Sequence, residues 1–365
     1  MKSGTMSISM ATVAKAAGVS AATVSRVLSG KPGVSAAKAD EIRGIIKRLD
    51  YSMPVRPRGP KSRARDGIVH GNIAVLLIDR FAKMQTYPVF DAIFQGVEST
   101  LSELGLNLIF ARVTQPDDLP DCVLKGNLDG LLLAGAEPDE ALLARLSGFP
   151  SVSLSSRHTK SGDHVLPGRE AVGQLAASYL LGRGHTHVAY LNVITENPAF
   201  RIQGTSFATA VQAAGARVDL FTEGGVSMRS EDLAIQLRES ERAASPLVDS
   251  ILAATPGPTG LFVSCDMLTA VLYRVLQKKG MHPWAGIDVV SCNNEQAFLA
   301  GLHPRPATID IGAELVGRKA VDQLLWRMRH SKEASRVNVT IDPVLVPSPD
   351  GGGPVSSTAS ELSGS

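Results

Sequence analysis

The sequence predicts two parts of different architecture: a small all-α head, and an α/β body of two lobes that each contain a doubly wound parallel sheet. Three short segments near the amino end have apolar residues at helical spacing. From residue 71 onward, apolar strand-like runs alternate with amphipathic helices. A chain of 365 residues is long enough for both parts. We place the head at 8–51, a linker at 52–70, the body at 71–347 and a tail at 348–365.

The first two helices of the head are separated by a tight turn within residues 14–29. Gly18 supplies the left-handed backbone that this turn needs without a Cβ penalty. Ser20 is a good N-cap for the second helix, because its hydroxyl can accept an orphan N–H of the first turn. One stripe of that helix, at i, i+3 and i+4, packs inward: Val24, Val27 and Leu28. The remaining residues lie at its start and on its outer faces: Ala21, Ala22, Thr23, Ser25 and Arg26.

A third helix follows, from Ser35 as its N-cap to about Leu49, with Ile42, Ile45 and Ile46 at helical spacing. Three short helices in this order are typical of a helix-turn-helix headpiece, whose second helix enters the major groove of DNA. Any small helical hairpin would show part of this pattern. The distribution of charge is therefore the discriminating observation.

Charge is strongly asymmetric along the chain. Residues 1–65 contain thirteen Lys and Arg but only three Asp and Glu, a difference of +10. Because the whole chain carries +2, residues 66–365 carry −8. A basic head on an acidic body indicates a polyanionic partner for the head and a different task for the body. Neutralisation of phosphates would make DNA binding fall steeply with salt.

The body switches repeatedly between the strand period and the helix period. Predicted strands cover 73–78, 106–111, 128–133, 152–154, 187–191, 217–221, 261–263, 289–291 and 337–346. Predicted helices cover 90–104, 139–146, 170–181, 200–214, 232–253, 267–279 and 313–329. The strand at 152–154 closes the first half, and the second half repeats the alternation. Ligands of such lobes bind beyond the carboxyl ends of the strands, so the cleft between the lobes is the natural pocket.

Composition and motifs exclude several classes of protein. The sequence has no run of eighteen apolar residues, so no membrane span is predicted. Its first residues lack an apolar stretch, so no signal peptide is predicted. Cys122, Cys265 and Cys292 form no metal-ligand pattern and favour buried thiols in a reducing cytoplasm. His185 and His187 have no nearby Cys or carboxylate in the sequence, so no metal is predicted. No phosphate-binding loop, dinucleotide glycine motif or nucleophile elbow is present, and neither an enzyme nor a cofactor is predicted. The tail, rich in Gly, Ser and Pro, is expected to be disordered.

From about residue 8 to residue 347 the chain resembles the LacI/GalR family of bacterial transcription regulators. The most specific match is the segment 17–28, and the supporting pieces are Gly184-His185, 201–204, 265–267 and 306–309. The resemblance implies a core similar to periplasmic sugar-binding proteins, and a cytoplasmic homodimer that binds double-stranded operator DNA and no membrane. It also implies that a small metabolite, a sugar or a related compound, binds in the cleft and changes the affinity for the operator.

The resemblance assigns DNA contacts to the second helix. Ala21 and Ala22 occupy the base-reading positions, and because both are methyl-sized, a direct contact there is apolar, for instance with a thymine methyl. Thr23, Ser25 and Arg26 would contact phosphates or a neighbouring base.

Effector-binding residues follow from the same resemblance. Arg201 matches the family's effector-binding arginine, whose planar fork suits adjacent hydroxyls or a carboxylate. Asp266 lies at a strand end facing the cleft, although a helix N-cap would explain it as well. Phe90 and Tyr87 could stack on a ring, whereas a core position is the alternative for Phe90.

The cleft departs from the family pattern at three positions. Cys265 stands where the family usually has Asn, Asn293 where it usually has an acid, and Ser155 where some sugar-responsive members have an acid. The predicted cleft is therefore short of the carboxylates that bind sugar hydroxyls, which argues against a typical monosaccharide effector.

The linker is the largest departure. The family usually forms a hinge helix here, with a leucine that wedges into the minor groove. Pro54, Pro57, Pro60 and Gly59 exclude a persistent helix, and no leucine is available. One hypothesis is that an extended backbone carries three basic side chains into a narrow A/T-rich minor groove: Arg56, Arg58 and Lys61. The alternative is a flexible basic tether that touches phosphates only.

Two functions from different classes remain. The first is a sequence-specific transcription regulator, a repressor, whose operator affinity depends on a small metabolite bound between the lobes. The second is an effector-independent or architectural DNA-binding dimer whose cleft has degenerated. The identity of the metabolite, its sign as inducer or corepressor, and the choice between dimer and tetramer stay open at this point.

Overall fold

The computed structural model describes residues 10–28, 34–49, 67–78, 88–154, 162–226, 233–281 and 286–349. The chain divides into two compact units, residues 1–61 and 62–365. The described part of the first unit is all-helical, and that of the second contains two six-stranded sheets. Most of the predicted linker (52–66) and of the predicted tail (350–365) lie outside the described residues.

The first unit consists of three helices around a small apolar core. The helices are α1 (Met10–Ala17), α2 (Ala21–Leu28) and α3 (Ala36–Arg48). Gly18 adopts the expected left-handed backbone, with φ 62°. The Ser20 hydroxyl accepts the Thr23 N–H at 3.2 Å, and Ser35 caps α3 in the same way through the Lys38 N–H at 3.4 Å. The buried residues shared by the three helices are Val13, Ala14, Ala17, Val24, Val27, Ile42 and Ile45.

Lobe 1 of the second unit is built on a fully parallel sheet of order β11-β5-β4-β3-β1-β2. Its strands are β1 (Asn72–Ile78), β2 (Asn107–Val113), β3 (Gly130–Gly135), β4 (Ser151–Leu154), β5 (Asp163–Pro167) and β11 (Asn338–Ile341). Its helices are α4 (Pro88–Glu103), α5 (Asp121–Leu124), α6 (Glu140–Leu146) and α12 (Ala313–Arg329). Strand β1 is buried almost throughout, because helices cover both faces of the sheet.

Lobe 2 repeats the plan with the order β12-β10-β9-β8-β6-β7, in which only β12 is antiparallel to its neighbour. Its strands are β6 (His187–Leu191), β7 (Arg217–Phe221), β8 (Gly260–Val263), β9 (Asp288–Cys292), β10 (Ala307–Asp310) and β12 (Val344–Val346). Its helices are α7 (Arg169–Gly182), α8 (Pro198–Ala213), α9 (Leu233–Ala253), α10 (Asp266–Lys278) and α11 (Gln296–Leu299).

The lobes are not the two halves of the sequence. The chain passes between them three times: between β5 and α7, between β10 and α12, and between β11 and β12. Helix α12 lies in the second half of the sequence but packs against α4 and the lobe 1 sheet. The single strand predicted at 337–346 was wrong. It is two strands in different sheets, broken at 342–343, where Pro343 cannot donate to a ladder.

Close packing of α4 on α12 depends on two glycines. A Cβ on Gly96 would lie 2.0 Å from the Glu314 carbonyl oxygen, and a Cβ on Gly317 would lie 2.0 Å from the Ile93 carbonyl oxygen. The two helices therefore touch backbone to backbone, which fixes the position of the amino end of α4.

Among the described helices, none has the length and apolar character that crossing a membrane requires.

Candidate DNA-binding and effector-binding sites

Helix α2 carries five of the predicted DNA-binding residues, and Ser20 directly precedes it. Ser20 and Arg26 are exposed and Thr23 is half-buried. The Ser20 and Thr23 hydroxyls share a hydrogen bond of 2.9 Å, which keeps both side chains at the amino end of the helix. Ala21, Ala22 and Ser25 lie on the same helix, but their side chains fall outside the description. Two hydroxyl groups and one exposed guanidinium are therefore the described polar groups of Ser20 and α2.

The positive charge of the first unit is only partly neutralised. The two acids of α3 form ion pairs within the helix, Asp40 with Arg43 at 2.8 Å and Glu41 with Lys38 at 2.9 Å. The exposed basic residues outnumber these two acids, and further ones lie on all three helices: Lys15, Arg26, Lys47 and Arg48. Such a surface suits a polyanion.

The linker residues Arg56, Arg58 and Lys61 lie outside the described residues, as do Tyr87 and Ser155 of the predicted effector site.

The carboxyl ends of the lobe 2 strands meet the amino end of α4 from lobe 1. After β9 the chain turns through Asn293 and Asn294, both with positive φ (101° and 58°), and reaches Glu295. The Asn293 amide nitrogen donates to Glu295 Oε2 at 3.2 Å, and Arg169 Nη1 donates to Asn293 Oδ1 at 3.5 Å. The backbone N–H of Val89 donates to Glu295 Oε1 at 3.1 Å. Through the bond between Val89 and Glu295, this cluster joins the two lobes by a polar contact.

Asp266 lies in the first turn of α10 and is completely buried. Its carboxylate accepts the Glu295 backbone N–H at 2.7 Å and the Thr308 hydroxyl at 2.9 Å, so it connects the segments that follow β8 and β9 with β10. Burial raises the pKa of Asp266 to about 7. The N-cap position of this helix is Cys265, not Asp266, so the alternative of an N-cap role was wrong. Complete burial does not support Asp266 as an exposed group for a ligand.

Arg201 and Phe90 take up different surroundings. Arg201 is exposed in the first turns of α8, where its Nη1 donates to the carbonyls of Thr195 and Glu196 at 3.2 and 3.4 Å. It lines an open groove of about 520 Å³ together with Glu170 of α7; every lining residue belongs to α7 or α8 of lobe 2, so this groove is distinct from the predicted cleft between the lobes. Phe90 is half-buried and packs against the large apolar core, with its ring 6.3 Å from that of Phe94. The packing favours a core role for Phe90.

Sequence reasoning missed three side chains of this region: Arg169, Glu295 and Thr308. Five buried side-chain atoms of the described residues have no hydrogen-bond partner, and two of them lie beside this region: Gln203 Oε1 and the Ser264 hydroxyl. Ser264 directly follows β8, and Gln203 reaches its carbonyl through Nε2 at 2.7 Å. Position beyond a strand end was the one available signal for Glu295 and Ser264, as ligands of such sheets bind there.

Two cysteines are buried thiols, and two histidines contact carboxylates. Burial raises the pKa of the Cys265 thiol to about 12 and also raises that of Cys292, so both stay protonated. His185 and His187 do have carboxylate partners, contrary to the sequence analysis: Asp288 at 3.3 Å and Asp219 at 2.6 Å. Asp219 comes from β7, the strand next to β6, and Asp288 comes from β9, two strands away, so distance along the sequence is uninformative. No group of three metal-ligating side chains occurs among the described residues.

Two family models match the sequence. One, described as bacterial regulatory proteins, lacI family, covers residues 9–53, and the other, a periplasmic binding protein-like domain, covers 177–347. The chain is 25% identical over 335 residues to the HTH-type transcriptional repressor PurR of Vibrio cholerae serotype O1 (strain M66-2), covering 89% of this chain and 93% of the relative. It is 26% identical over 320 residues to the HTH-type transcriptional regulator GntR of Pseudomonas aeruginosa, with coverages of 86% and 87%.

Solved structures share the fold over nearly the whole chain. A complex of the transcriptional regulator CelR with cellobiose matches with a TM-score of 0.61 at 22% identity, covering 94% of this chain and all of that one (100%). The lac repressor dimer bound to operator and the anti-inducer ONPF matches with a TM-score of 0.61 at 19% identity, with coverages of 93% and 98%. The order of a helical head and a two-lobed core therefore recurs in known structures.

Proposed function

This chain belongs to the LacI/GalR family of bacterial transcription regulators, and we propose that it represses transcription by binding an operator through its head while its core binds a small molecule. The observation that carries the proposal is the three-helix head, with α2 capped by Ser20, on the same chain as a two-lobed α/β core. Its curated relatives are transcription regulators, not enzymes.

In the proposed complex α2 lies in the major groove. Ala21 and Ala22 face base edges and contact thymine methyl groups, since neither side chain can hydrogen-bond. Thr23, Ser25 and Arg26 contact phosphates or a neighbouring base, and Ser20 fixes the amino end of the helix. The protein acts as a homodimer, so the operator is two-fold symmetric with half-sites about one helical turn apart.

Selection of binding sites from a randomised duplex pool tests this proposal. Full-length dimer at physiological salt should enrich a two-fold symmetric site with half-sites about one turn apart. Enrichment of nothing, with or without pooled sugars and purines, would overturn sequence-specific recognition and favour the architectural alternative.

For the linker we propose that Arg56, Arg58 and Lys61 enter an A/T-rich minor groove at the centre of the operator. Replacing Arg56 and Arg58 by Ala should then weaken A/T-centred sites at least tenfold more than G/C-centred sites, measured by fluorescence anisotropy at one salt concentration. Lys15→Ala in α1 is the matched control, because loss of a single head charge should weaken both kinds of site equally. A uniform loss in the double variant would leave only the tether hypothesis.

For the core we propose that the effector lies between the lobes, near Arg201 and Asn293, with Tyr87, Phe90 and Ser155 on the lobe 1 side and Asp266 beneath it. A sugar or related polar compound could supply hydrogen-bond partners for Gln203 Oε1 and the Ser264 hydroxyl, which have none among the described residues. The CelR structure holds cellobiose, which supports the same class of compound. The protein operates in the cytoplasm, where its operator is.

Thermal unfolding of full-length protein with a panel of metabolites tests the core proposal. A true effector at one hundred times its Kd should add about 2.7 kcal/mol of stability. Arg201→Ala should reduce that shift, whereas Arg145→Ala in α6 should not. If no metabolite shifts the melting temperature, the effector-independent regulator is the better description. The contact that already bridges the lobes through Glu295 favours this second candidate.

A further inference from the structure

The hydrogen bond from the Val89 N–H to Glu295 Oε1 joins residues 206 positions apart, one in each lobe. Val89 is the second residue of α4, which is anchored on lobe 1 through α12. Glu295 follows β9 of lobe 2 and is only 6% exposed. A buried carboxylate thus reaches from one lobe to the backbone of the other, at the carboxyl edge where ligands of these folds bind.

The amino end of α4 is a favourable partner for this carboxylate. The first N–H groups of a helix have no acceptor within the helix, so the Val89 N–H depends on Glu295 for a partner. The partial positive charge at that end further favours an anion. Because α4 has sixteen residues and its backbone is pressed against α12, its amino end is a fixed point of lobe 1.

Glu295 is held equally firmly on its own side. Its backbone N–H donates to Asp266 at 2.7 Å, and its second carboxylate oxygen accepts from Asn293 at 3.2 Å. Asn293 in turn contacts Arg169 in the first turn of α7. Burial raises the pKa of the Glu295 carboxyl, whereas the bonds from Asn293 and Val89 and the charge of Arg169 lower it; the Asp266 carboxyl is the other charged group nearby. This rigid support aims the side chain at Val89.

We propose that Glu295 is a positioning residue that fastens lobe 2 to lobe 1 when no effector is bound, so that the chain's own carboxylate sets the ligand-free arrangement of the lobes. The inference rests on the proposed function in one respect: the lobe arrangement is what controls operator affinity. An effector acts on this arrangement by replacing the Glu295–Val89 bond or by binding beside it. Glu295 thereby sets how much operator affinity the protein has without an effector.

Amide hydrogen exchange of ligand-free, full-length protein tests the bond directly. Exchange at Val89, followed in a peptide that spans the start of α4, should accelerate at least tenfold in Glu295→Ala. Glu295→Gln keeps an oxygen acceptor and should restore the protection. Glu103→Ala, at the other end of α4, is the matched control and should leave Val89 unchanged. Unchanged exchange in a folded Glu295→Ala protein would overturn the proposal, whether or not the protein binds an operator.

A second variant removes the donor instead of the acceptor. Val89→Pro deletes the N–H and exchanges the half-buried valine side chain for a proline ring, which the first turn of a helix tolerates. Glu295→Ala and Val89→Pro should each change ligand-free operator affinity several-fold in the same direction. The double variant should change it no more than either single variant, since both remove one bond. Effects that simply add would show that the two residues act separately and would overturn the proposal.

Discussion

Asp266 shows how burial at the strand ends converts into a dependence of stability on pH. Its pKa is raised to about 7 by burial, so the folded protein binds this proton more tightly than the unfolded chain does. The stabilisation is therefore complete at low pH and is lost as the pH rises through the folded-state pKa. As the pH rises from 5 to 8, ionisation of this carboxyl should lower the free energy of unfolding by about 2–3 kcal/mol.

Asp266→Asn tests this expectation by urea denaturation at several pH values. Asparagine cannot ionise, so the stability of the variant relative to wild type should increase by about 2–3 kcal/mol between pH 5 and pH 8. Asp163→Asn is an informative comparison. Burial alone would raise the pKa of Asp163, but Arg327, the Val337 N–H and Gln323 together lower it, so loss of this acid should matter most at high pH. Parallel curves for Asp266→Asn and wild type would contradict the assignment.

At the scale of elements, the contact of α4 with α12 is decided by two glycines. Gly317→Ala would place a methyl group 2.0 Å from the Ile93 carbonyl oxygen, and a backbone atom cannot move aside cheaply. We expect a loss of about 3 kcal/mol or more in unfolding free energy, at the upper end of overpacking effects. Chemical denaturation of the full chain measures it.

Gly182→Ala, at the end of α7, provides the control for that prediction. Its added Cβ would meet no atom within 4 Å, so alanine should be neutral or stabilise by up to about 1 kcal/mol. Equal losses in Gly182→Ala and Gly317→Ala would show that the close approach to Ile93 does not explain the response.

The sequence predicted elements well where burial leaves a periodic signal. The strands at 187–191 and 217–221 and the helix at 313–329 have the predicted bounds. Strands β5 and β10 escaped notice, because four or five residues with polar members such as Asp163 and Asp310 carry too little pattern. The passage of the chain from lobe 1 to lobe 2 at Pro343 was also missed. The segments on both sides of Pro343 are extended, and nothing in the local sequence shows that they belong to different sheets.

The candidate site was less predictable than the elements for a physical reason. The resemblance identified Arg201 and Asn293 by position, but which side chains meet depends on how lobe 1 approaches lobe 2. Glu295 has no local signature, because its partner is a backbone N–H that lies 206 residues away. Likewise the partners of His185 and His187 come from other strands of the lobe 2 sheet, β9 and β7. Linear spacing records contacts within one element and misses those made by topology.

At the scale of the whole molecule, the proposed homodimer requires a surface, and the outer strands β2 and β7 of the two described sheets offer one. Strand β2 ends the lobe 1 sheet and exposes Phe110 by 39%, whose ring packs edge-on against Phe94 at 5.2 Å. Strand β7 holds the same place in lobe 2 and exposes Leu220 by 52%. Large apolar side chains on both outer strands indicate that another copy of the chain covers them.

Charge on these two strands should therefore separate the dimer. In the double variant Phe110→Glu, Leu220→Glu, the desolvation of two carboxylates per subunit opposes association, and sedimentation velocity at micromolar concentration should show a monomer. Operator affinity should fall at least a hundredfold, because each head alone reaches only one half-site. Leu124→Glu carries the same change at a side chain that is 51% exposed elsewhere in lobe 1, and it should stay dimeric. A dimeric double variant with unchanged melting temperature would place the subunit contact on another face, and the heads would then have to span the operator from there.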